Sequence, residues 1–311
     1  MSTASDDLFQ LMTPRRAAVL GSPIAHSLSP LLHNAGYAAA CIESQWSYGR
    51  VEHTGEGLSG FLEGLGQEVR GLSVTMPAKF AALECADHVS DVARTVGAAN
   101  TLVRDGSGWF ATNTDVAGVR GAIEELWSCA ERDAKGAAVQ ELRGSRVVVV
   151  GGGGTVRPVL FSLGIDFRVG EVDVINRSDK SADLRDVVEA AGLNMRFHTF
   201  DQLCLSGAEP SQGQQGLAEL VKGAALVVST VPSAALKGLE QDLAQAPVFD
   251  VIYDPWPTPL VLAARAAGWP AVGGHAMLAH QAFEQFELFT GVDAPRAAMR
   301  AALDHHLGTA G

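Results

Sequence analysis

The chain has 311 residues, 47% of them hydrophobic and 19% charged, a length that favours two domains and leaves room for a sizeable core. A formal net charge of −12 argues against nucleic acid or an anionic membrane as partner, since both require clustered Lys and Arg, and no apolar run approaches the roughly 18 residues of a membrane span. The stretch 1–13 is polar and acidic and unlike a signal peptide, so the cytoplasm is the expected compartment.

In chain order, residues 17–21 read as a first strand that ends in the turn 22–26. Ser27-Leu28-Ser29-Pro30 then opens a helix patterned by Leu31, Leu32, Ala35, Tyr37 and Ala40; proline suits the first helical position and serine the cap. Simple capping would account for Ser29 but not for Ser27. Two hydroxyls two residues apart at a helix N-terminus also form a neutral carboxylate cradle that needs no arginine. A strand over 46–51 and a helix over 58–65 lead to Gly71-Leu72-Ser73-Val74-Thr75-Met76-Pro77-Ala78-Lys79, a short strand followed by proline and another helix. Lys79 falls in the first turn of that helix, where a cation opposes the positive end of the dipole, so it needs a reason beyond solvation. A helix over 90–96, a strand grown out of 97–103, a hairpin-like turn over 104–108 and a strand over 109–111 bring the chain to Thr112-Asn113-Thr114-Asp115. Asn100, Asn113 and Asp115 are each an ordinary turn former or cap when taken alone. Together with Lys79 they fall where α/β sheets hold ligands, at the carboxyl ends of strands.

A helix over 116–127 and a polar linker over 134–140 precede Arg146-Val147-Val148-Val149-Val150-Gly151-Gly152-Gly153-Gly154-Thr155. Four successive valines lack polar alternation and suit the centre of a parallel sheet covered on both faces. The glycines let the backbone approach a pyrophosphate, and the helix after them offers free N–H groups and partial positive charge. Val156 replaces the last glycine of the usual G-x-G-x-x-G, which leaves a Gly-rich turn without a ligand as the competing reading. A second strand over 172–175, at βαβ spacing, favours the dinucleotide. Strands over 225–229, running into Thr230, and over 248–253, the last of the series, complete a Rossmann-type domain placed second in the chain. Residues 205–216 read as a flexible loop.

Gly274 to Gln281 opens a helix whose Phe283, Phe286 and Leu288 are expected in the core, with Gln281 able to face solvent, and His305-His306 falls on an end expected to fray. Cys41, Cys85, Cys129 and Cys204 form no C-x-x-C pair and read as reduced packing residues; with no H-E-x-x-H either, no metal is implied.

The cofactor class is set by the end of the second Rossmann strand. An NAD enzyme usually carries Asp or Glu there for the ribose 2′-hydroxyl, whereas a 2′-phosphate calls for a cation and no acid. Asn176-Arg177-Ser178 stands at that end; Arg177 can pair with the phosphate, Asn176 and Ser178 can donate to it, and Lys180 could add charge. Asp173, the one competing acid, reads as lying at the start of the strand. NADP is therefore expected.

Six blocks in this order resemble the shikimate dehydrogenase family over nearly the whole chain: Gly21 to Pro30, Ser73 to Lys79, Gly97 to Thr101, Asn113 to Asp115, the Gly-rich loop with Asn176-Arg177-Ser178, and Gly274 to Gln281. The resemblance implies an α/β fold of two domains, an N-terminal α/β substrate domain and a Rossmann-type NADP-binding domain, with C-terminal helices returning to the first. The boundaries are 1–115 completed by 274–311, and 116–273. It implies reversible reduction of 3-dehydroshikimate to shikimate with NADPH, on the route to chorismate and the aromatic amino acids. Lys79 and Asp115 match the catalytic pair. Ser27 and Ser29 match the residues that hold the substrate carboxylate, Thr75, Asn100 and Gln281 those that hold ring hydroxyls, and Tyr253 lies beside the substrate. Gly151, Gly152, Gly153, Gly154, Thr155, Asn176, Arg177, Ser178, Thr230, Gly274 and Met277 match cofactor contacts.

Three departures accompany the match. Ser73 stands where the family usually has asparagine, Gly152 and Thr155 replace alanines of the loop, and Pro158 replaces a small residue in the first turn of its helix, an early position that tolerates it. A small-molecule substrate is the expected partner, with no nucleic acid or membrane, and a homodimer is compatible with the reading. Two alternatives stay open: a quinate/shikimate dehydrogenase using NAD, and a non-catalytic sensor that binds the same metabolites. Retention of both Lys79 and Asp115 speaks against the sensor. A methylenetetrahydrofolate dehydrogenase-like enzyme would leave Ser27-Leu28-Ser29 and Gln281 unexplained.

Overall fold

The computed structural model describes residues 14–132, 141–204 and 215–308, and the chain divides into two compact units, 1–114 with 281–311, and 115–280. In the first unit, β1 (Arg15–Gly21), α1 (Ser29–Ala39), β2 (Trp46–Glu52), α2 (Leu58–Glu63), β3 (Val69–Val74), α3 (Lys79–Glu84), β4 (His88–Val89), α4 (Asp91–Val96), β5 (Thr101–Asp105) and β6 (Gly108–Thr112) succeed one another in sequence. They form one mixed sheet in the order β2-β1-β3-β5-β6-β4. Strands β1, β2 and β3 run parallel, whereas β5 is antiparallel to both β3 and β6. That polarity brings the carboxyl ends of β1, β3 and β6 and the amino end of β5 to one edge. One side of the sheet packs Leu20, Leu72, Val74, Leu102 and Trp109 against Leu58 and Leu62 of α2.

The second unit contains α5 (Asp115–Arg132), β7 (Arg146–Val150), α6 (Val156–Ile165), β8 (Glu171–Asn176), α7 (Ser181–Ala190), β9 (Asn194–Thr199), the short pair β10 (Leu203–Cys204) and β11 (Gln215–Gly216), α8 (Leu217–Val221), β12 (Leu226–Ser229), α9 (Glu240–Leu243), β13 (Val248–Asp250), α10 (Pro259–Ala266) and β14 (Ala271–Gly273). Its main sheet has the order β14-β13-β12-β7-β8-β9 with every pairing parallel. Counted from β7, this is the doubly wound order 3-2-1-4-5-6, whose reversal between the first and fourth strands is a ligand crevice. The four valines of β7 are wholly inaccessible. Val147 and Val149 enter one core, Val148 and Val150 the other, as a strand covered on both faces requires.

Helix α11 (Gly274–Thr290) begins in the second unit and ends in the first, where α12 (Arg296–Leu307) succeeds it. Residues 274–280 group with the second unit, a later boundary than the expected 274. No helix among the described residues is long and apolar enough to cross a membrane.

Several expectations need correction. The strand over 248–253 stops at Asp250 and is not the last; β14 extends the sheet beyond it, and β9 extends the other end. Leu288 is exposed while Phe289 takes the core place, because Phe286 and Phe289 are three residues apart on one helical face. Gln281 is buried. His305 and His306 lie inside an intact helix closed by the left-handed Gly308. Cys41 is exposed at φ 57° rather than packed. The linker over 134–140 and most of the loop over 205–216 lie outside the described residues.

Candidate active site

The shared sheet edge of the first unit carries the loops that the sequence singled out. After β1, Glu52 of β2 accepts hydrogen bonds from the Ser22 hydroxyl (2.6 Å) and the Ile24 N–H (3.0 Å), and Arg50 donates to the Ser27 carbonyl at 2.7 Å. Ser29 is the first residue of α1 and does not cap it; the capping position is Leu28, with no side-chain bond. The Ser27 oxygen instead receives the Ser29 N–H at 3.4 Å and lies 3.4 Å from the Ser29 oxygen. Both hydroxyls therefore stand together at a helix N-terminus without being consumed by it, which suits an anion.

After β3, the Thr75 N–H returns to the Leu20 carbonyl (2.8 Å) and the Met76 carbonyl accepts from Ser22 (3.1 Å). This close approach needs Gly21, since a Cβ there would fall 2.3 Å from the Thr75 methyl carbon. Lys79 is the first residue of α3 and half-buried, and its carbonyl accepts from Ala99 at 3.0 Å, tying it to the turn before β5. In that turn the buried Asn100 accepts the Thr114 N–H at 2.7 Å and donates to the Thr114 hydroxyl at 3.0 Å. Asn113 donates to the Ala98 carbonyl at 2.8 Å. Asp115 opens α5, 7% exposed, at the helix end that favours an acid.

A buried polar network lies behind this edge, and sequence reasoning missed it. The Tyr48 hydroxyl donates to Ser73 (2.5 Å), Ser73 donates to the Gln285 Oε1 (2.6 Å), and the Gln285 Nε2 donates to the Thr101 hydroxyl (2.9 Å) and the Asn100 carbonyl (3.2 Å). Burial raises the Tyr48 pKa, opposed by hydrogen bonds to Ser73 and Ser29, so Tyr48 remains a neutral donor. His33 stacks on Tyr48 with ring centroids 4.1 Å apart; burial lowers its pKa to about 3, the nearby Gln285 opposing slightly. The signal for Gln285 was its place four residues after Gln281, on the same helical face.

In the second unit, Gly151 and Thr230 directly follow β7 and β12 and Asn176 ends β8, three strands side by side in the sheet. Gly151 has φ 126°, and a Cβ there would meet the Thr230 oxygen at 2.1 Å; Thr230 itself donates to the Val150 carbonyl at 3.0 Å. Gly153 and Gly154 face open space. A side chain at Gly152 would come within 2.9 Å of the Asn176 amide. Asn176 is turned onto the Ser178 carbonyl (2.9 Å), and Arg177 and Ser178 are exposed. Asp173 is in mid-strand, wholly inaccessible, and held by Arg146 (3.0 Å), Arg196 (2.9 Å) and His198 (2.8 Å), so it is spent inside the sheet. The open glycine backbone, and an exposed Arg177 at a strand end whose acid is turned inward, fit a 2′-phosphorylated dinucleotide. After β13, Asp250 accepts from Thr258 (2.7 Å) and the Ile252 N–H (3.3 Å) and thereby shapes the loop carrying Tyr253, a half-buried phenol whose pKa burial raises, with a contribution from Asp254. Gly274 comes after β14 so closely against the Val251 carbonyl that no Cβ fits, and Met277 is buried one turn later.

A curated protein named shikimate dehydrogenase (NADP+), from Methanosarcina acetivorans, is 34% identical over 91% of this chain and 95% of its own length. The chain belongs to the shikimate dehydrogenase family. The family models for the shikimate dehydrogenase substrate binding domain and the shikimate 5′-dehydrogenase C-terminal domain match residues 19–102 and 274–303. Among solved structures, a shikimate 5-dehydrogenase from Mycobacterium fortuitum is 43% identical with a TM-score of 0.77, over 93% of this chain and 97% of that one. Shikimate dehydrogenase from Mycobacterium tuberculosis is 41% identical with a TM-score of 0.78, over 94% and 100%.

Proposed function

We propose that this member of the shikimate dehydrogenase family catalyses reversible, NADPH-dependent reduction of 3-dehydroshikimate to shikimate, on the route to chorismate. The observation that carries the reading is the single sheet edge that gathers Ser27 and Ser29, Thr75 and Lys79, and Asn100, in the order in which the family motifs occur.

Bound NADPH supplies the hydride for the ketone carbon. Charge then builds on the ketone oxygen, and Lys79, with Asp115 as the other member of the catalytic pair, gives the proton there. Ser27 and Ser29 hold the carboxylate, and Thr75, Asn100 and Gln281 hold the ring hydroxyls, with Tyr253 alongside. Gly151, Gly152, Gly153, Gly154 and Thr155 take the pyrophosphate, Asn176, Arg177 and Ser178 the 2′-phosphate, and Thr230, Gly274 and Met277 complete the dinucleotide contacts.

Absorbance of the reduced nicotinamide, with shikimate or quinate and NADP or NAD in all four pairings, tests the reading. Reduction chiefly with shikimate and NADP is expected. A preference for NAD or quinate would make the chain the NAD-using alternative, and no reduction in any pairing would leave only a binding protein.

Two substitutions separate the subsites. Ser27→Ala with Ser29→Ala removes two hydrogen bonds to an anion, each worth about 1.5–3 kcal/mol, so KM for shikimate should rise about 10²- to 10⁴-fold with KM for NADP unchanged; equal rises in both would take the serines out of the carboxylate site. Arg177→Ala should raise KM for NADP about 10- to 100-fold and KM for NAD by less than about twofold, because only NADP carries the phosphate. A matching rise for NAD would deny Arg177 that role.

A further inference from the structure

The residue at position 73 is short where the family usually carries an amide, and the structure puts another amide next to it. Ser73 is buried on β3, and its hydroxyl donates at 2.6 Å to the Oε1 of Gln285, which reaches in from α11 and is 1% exposed. The other end of the same amide donates to the Thr101 hydroxyl at 2.9 Å and the Asn100 carbonyl at 3.2 Å. Thr101 in turn donates to the Asn100 Oδ1 at 2.8 Å. Asn100 is thus gripped at its backbone by Gln285 and at its side chain through Thr101. On the other side, Ser73 accepts from Tyr48.

A buried amide with both ends engaged is a rigid spacer. Its oxygen must face a donor and its nitrogen an acceptor, so it admits one orientation. Serine at 73 supplies the donor in little volume, and asparagine there would extend into the space the Gln285 amide fills.

We propose that Gln285 is a positioning residue for Asn100, reaching it from α11, and that the pair Ser73–Gln285 is one unit in this chain. The role rests on Asn100 holding a ring hydroxyl, as in the proposed function. Without Gln285, the Asn100 carbonyl and the Thr101 hydroxyl each lose a buried donor, so Asn100 is held by the Val74 N–H and Thr114 and by a Thr101 hydroxyl that is itself no longer fixed.

The test compares wild type with Gln285→Met, Gln285→Ala, Ser73→Asn and the double variant Ser73→Asn/Gln285→Ala, measuring KM for shikimate and for NADP, kcat and the melting temperature. Gln285→Met keeps the volume and removes the hydrogen bonds; KM for shikimate should rise about tenfold with KM for NADP within twofold. Ser73→Asn alone sets two amides in one space and should raise KM for shikimate similarly. The double variant returns one amide to that space and should come back to within about threefold of wild type in KM for shikimate.

Wild-type KM for shikimate in a folded Gln285→Met would overturn the proposal. So would a double variant no better than Gln285→Ala, a comparison that holds even if Gln285→Met fails to fold. A purely structural glutamine would change the melting temperature and leave the ratio of the two KM values unmoved, which also overturns it. A wild-type protein that reduces no NADP with shikimate would instead remove the functional reading, and the positioning role with it.

Discussion

Lys79→Ala is expected to lower kcat for shikimate oxidation by about 10²- to 10⁴-fold, the range for losing a positioned acid–base group, while KM for shikimate changes by less than about threefold. Such a split arises when an interaction made chiefly in the transition state is removed. Lys79 begins the six-residue helix α3, at the end where a cation gains nothing from the helix. It is half-buried in a turn fixed from two sides, by Thr75 on Leu20 and by Ala99 on the Lys79 carbonyl. The main chain is held independently of the side chain, so alanine should leave the turn in place and the melting temperature within a few degrees. Lys79→Arg is a sharper control. It keeps the positive charge, but a guanidinium does not release its proton in proteins, so kcat should stay as low as in Lys79→Ala. Steady-state rates across substrate concentrations check both variants. A Lys79→Ala enzyme within tenfold of wild-type kcat would take Lys79 out of proton transfer and leave Asp115 as the group to examine.

The features legible in the chain before folding are those that physics makes local. The valines of β7 had to be covered on two faces, and they are, because a central parallel strand needs no polar side. Ser27 and Ser29 declared themselves by being two where a cap needs one, and in the structure neither caps the helix. β14 escaped because three residues after a proline carry no periodicity. β9 escaped because an edge strand reading Asn-Met-Arg-Phe-His-Thr alternates polar and apolar residues in a way that loops also do. The strand over 248–253 was drawn too long because Tyr253 suits strands by composition, while the side-chain bonds to Asp250 turn the chain at that point. The network of Tyr48, Ser73 and Gln285 was out of reach for another reason. Its closing bond spans 212 residues, and no local rule says which buried hydroxyl will face which buried amide. Only the missing asparagine at 73 hinted that its partner had changed.

Asp173→Asn should lower the unfolding free energy by about 2–4 kcal/mol, the cost of breaking a buried ion pair discounted for partners that reach water, seen as a shift of the urea midpoint with the slope unchanged. The carboxylate faces Arg196 directly across the β8–β9 register, with His198 two residues further on the same face, and Arg146 reaches it from β7. Burial alone would raise its pKa; the hydrogen bonds from Arg196, His198 and Arg146 outweigh that and hold it below the ordinary value of 3.8. A carboxyl whose folded pKa is depressed contributes stability that is present above its unfolded pKa and lost as pH falls through the folded one. The gap between wild type and Asp173→Asn should therefore be full at neutral pH and close as the solution is acidified below about 4. Asparagine also turns an N–H₂ toward groups that are themselves donors, so the neutral side chain cannot inherit the contacts. The cofactor preference should not move: KM for NADP and for NAD should each stay within about twofold, because Asp173 is three residues short of the strand end where a ribose-binding acid would stand. An Asp173→Asn protein of wild-type stability with a weakened hold on NAD would reverse that assignment. It would make Asp173 a ribose ligand, and Arg177 would no longer decide which dinucleotide the enzyme takes.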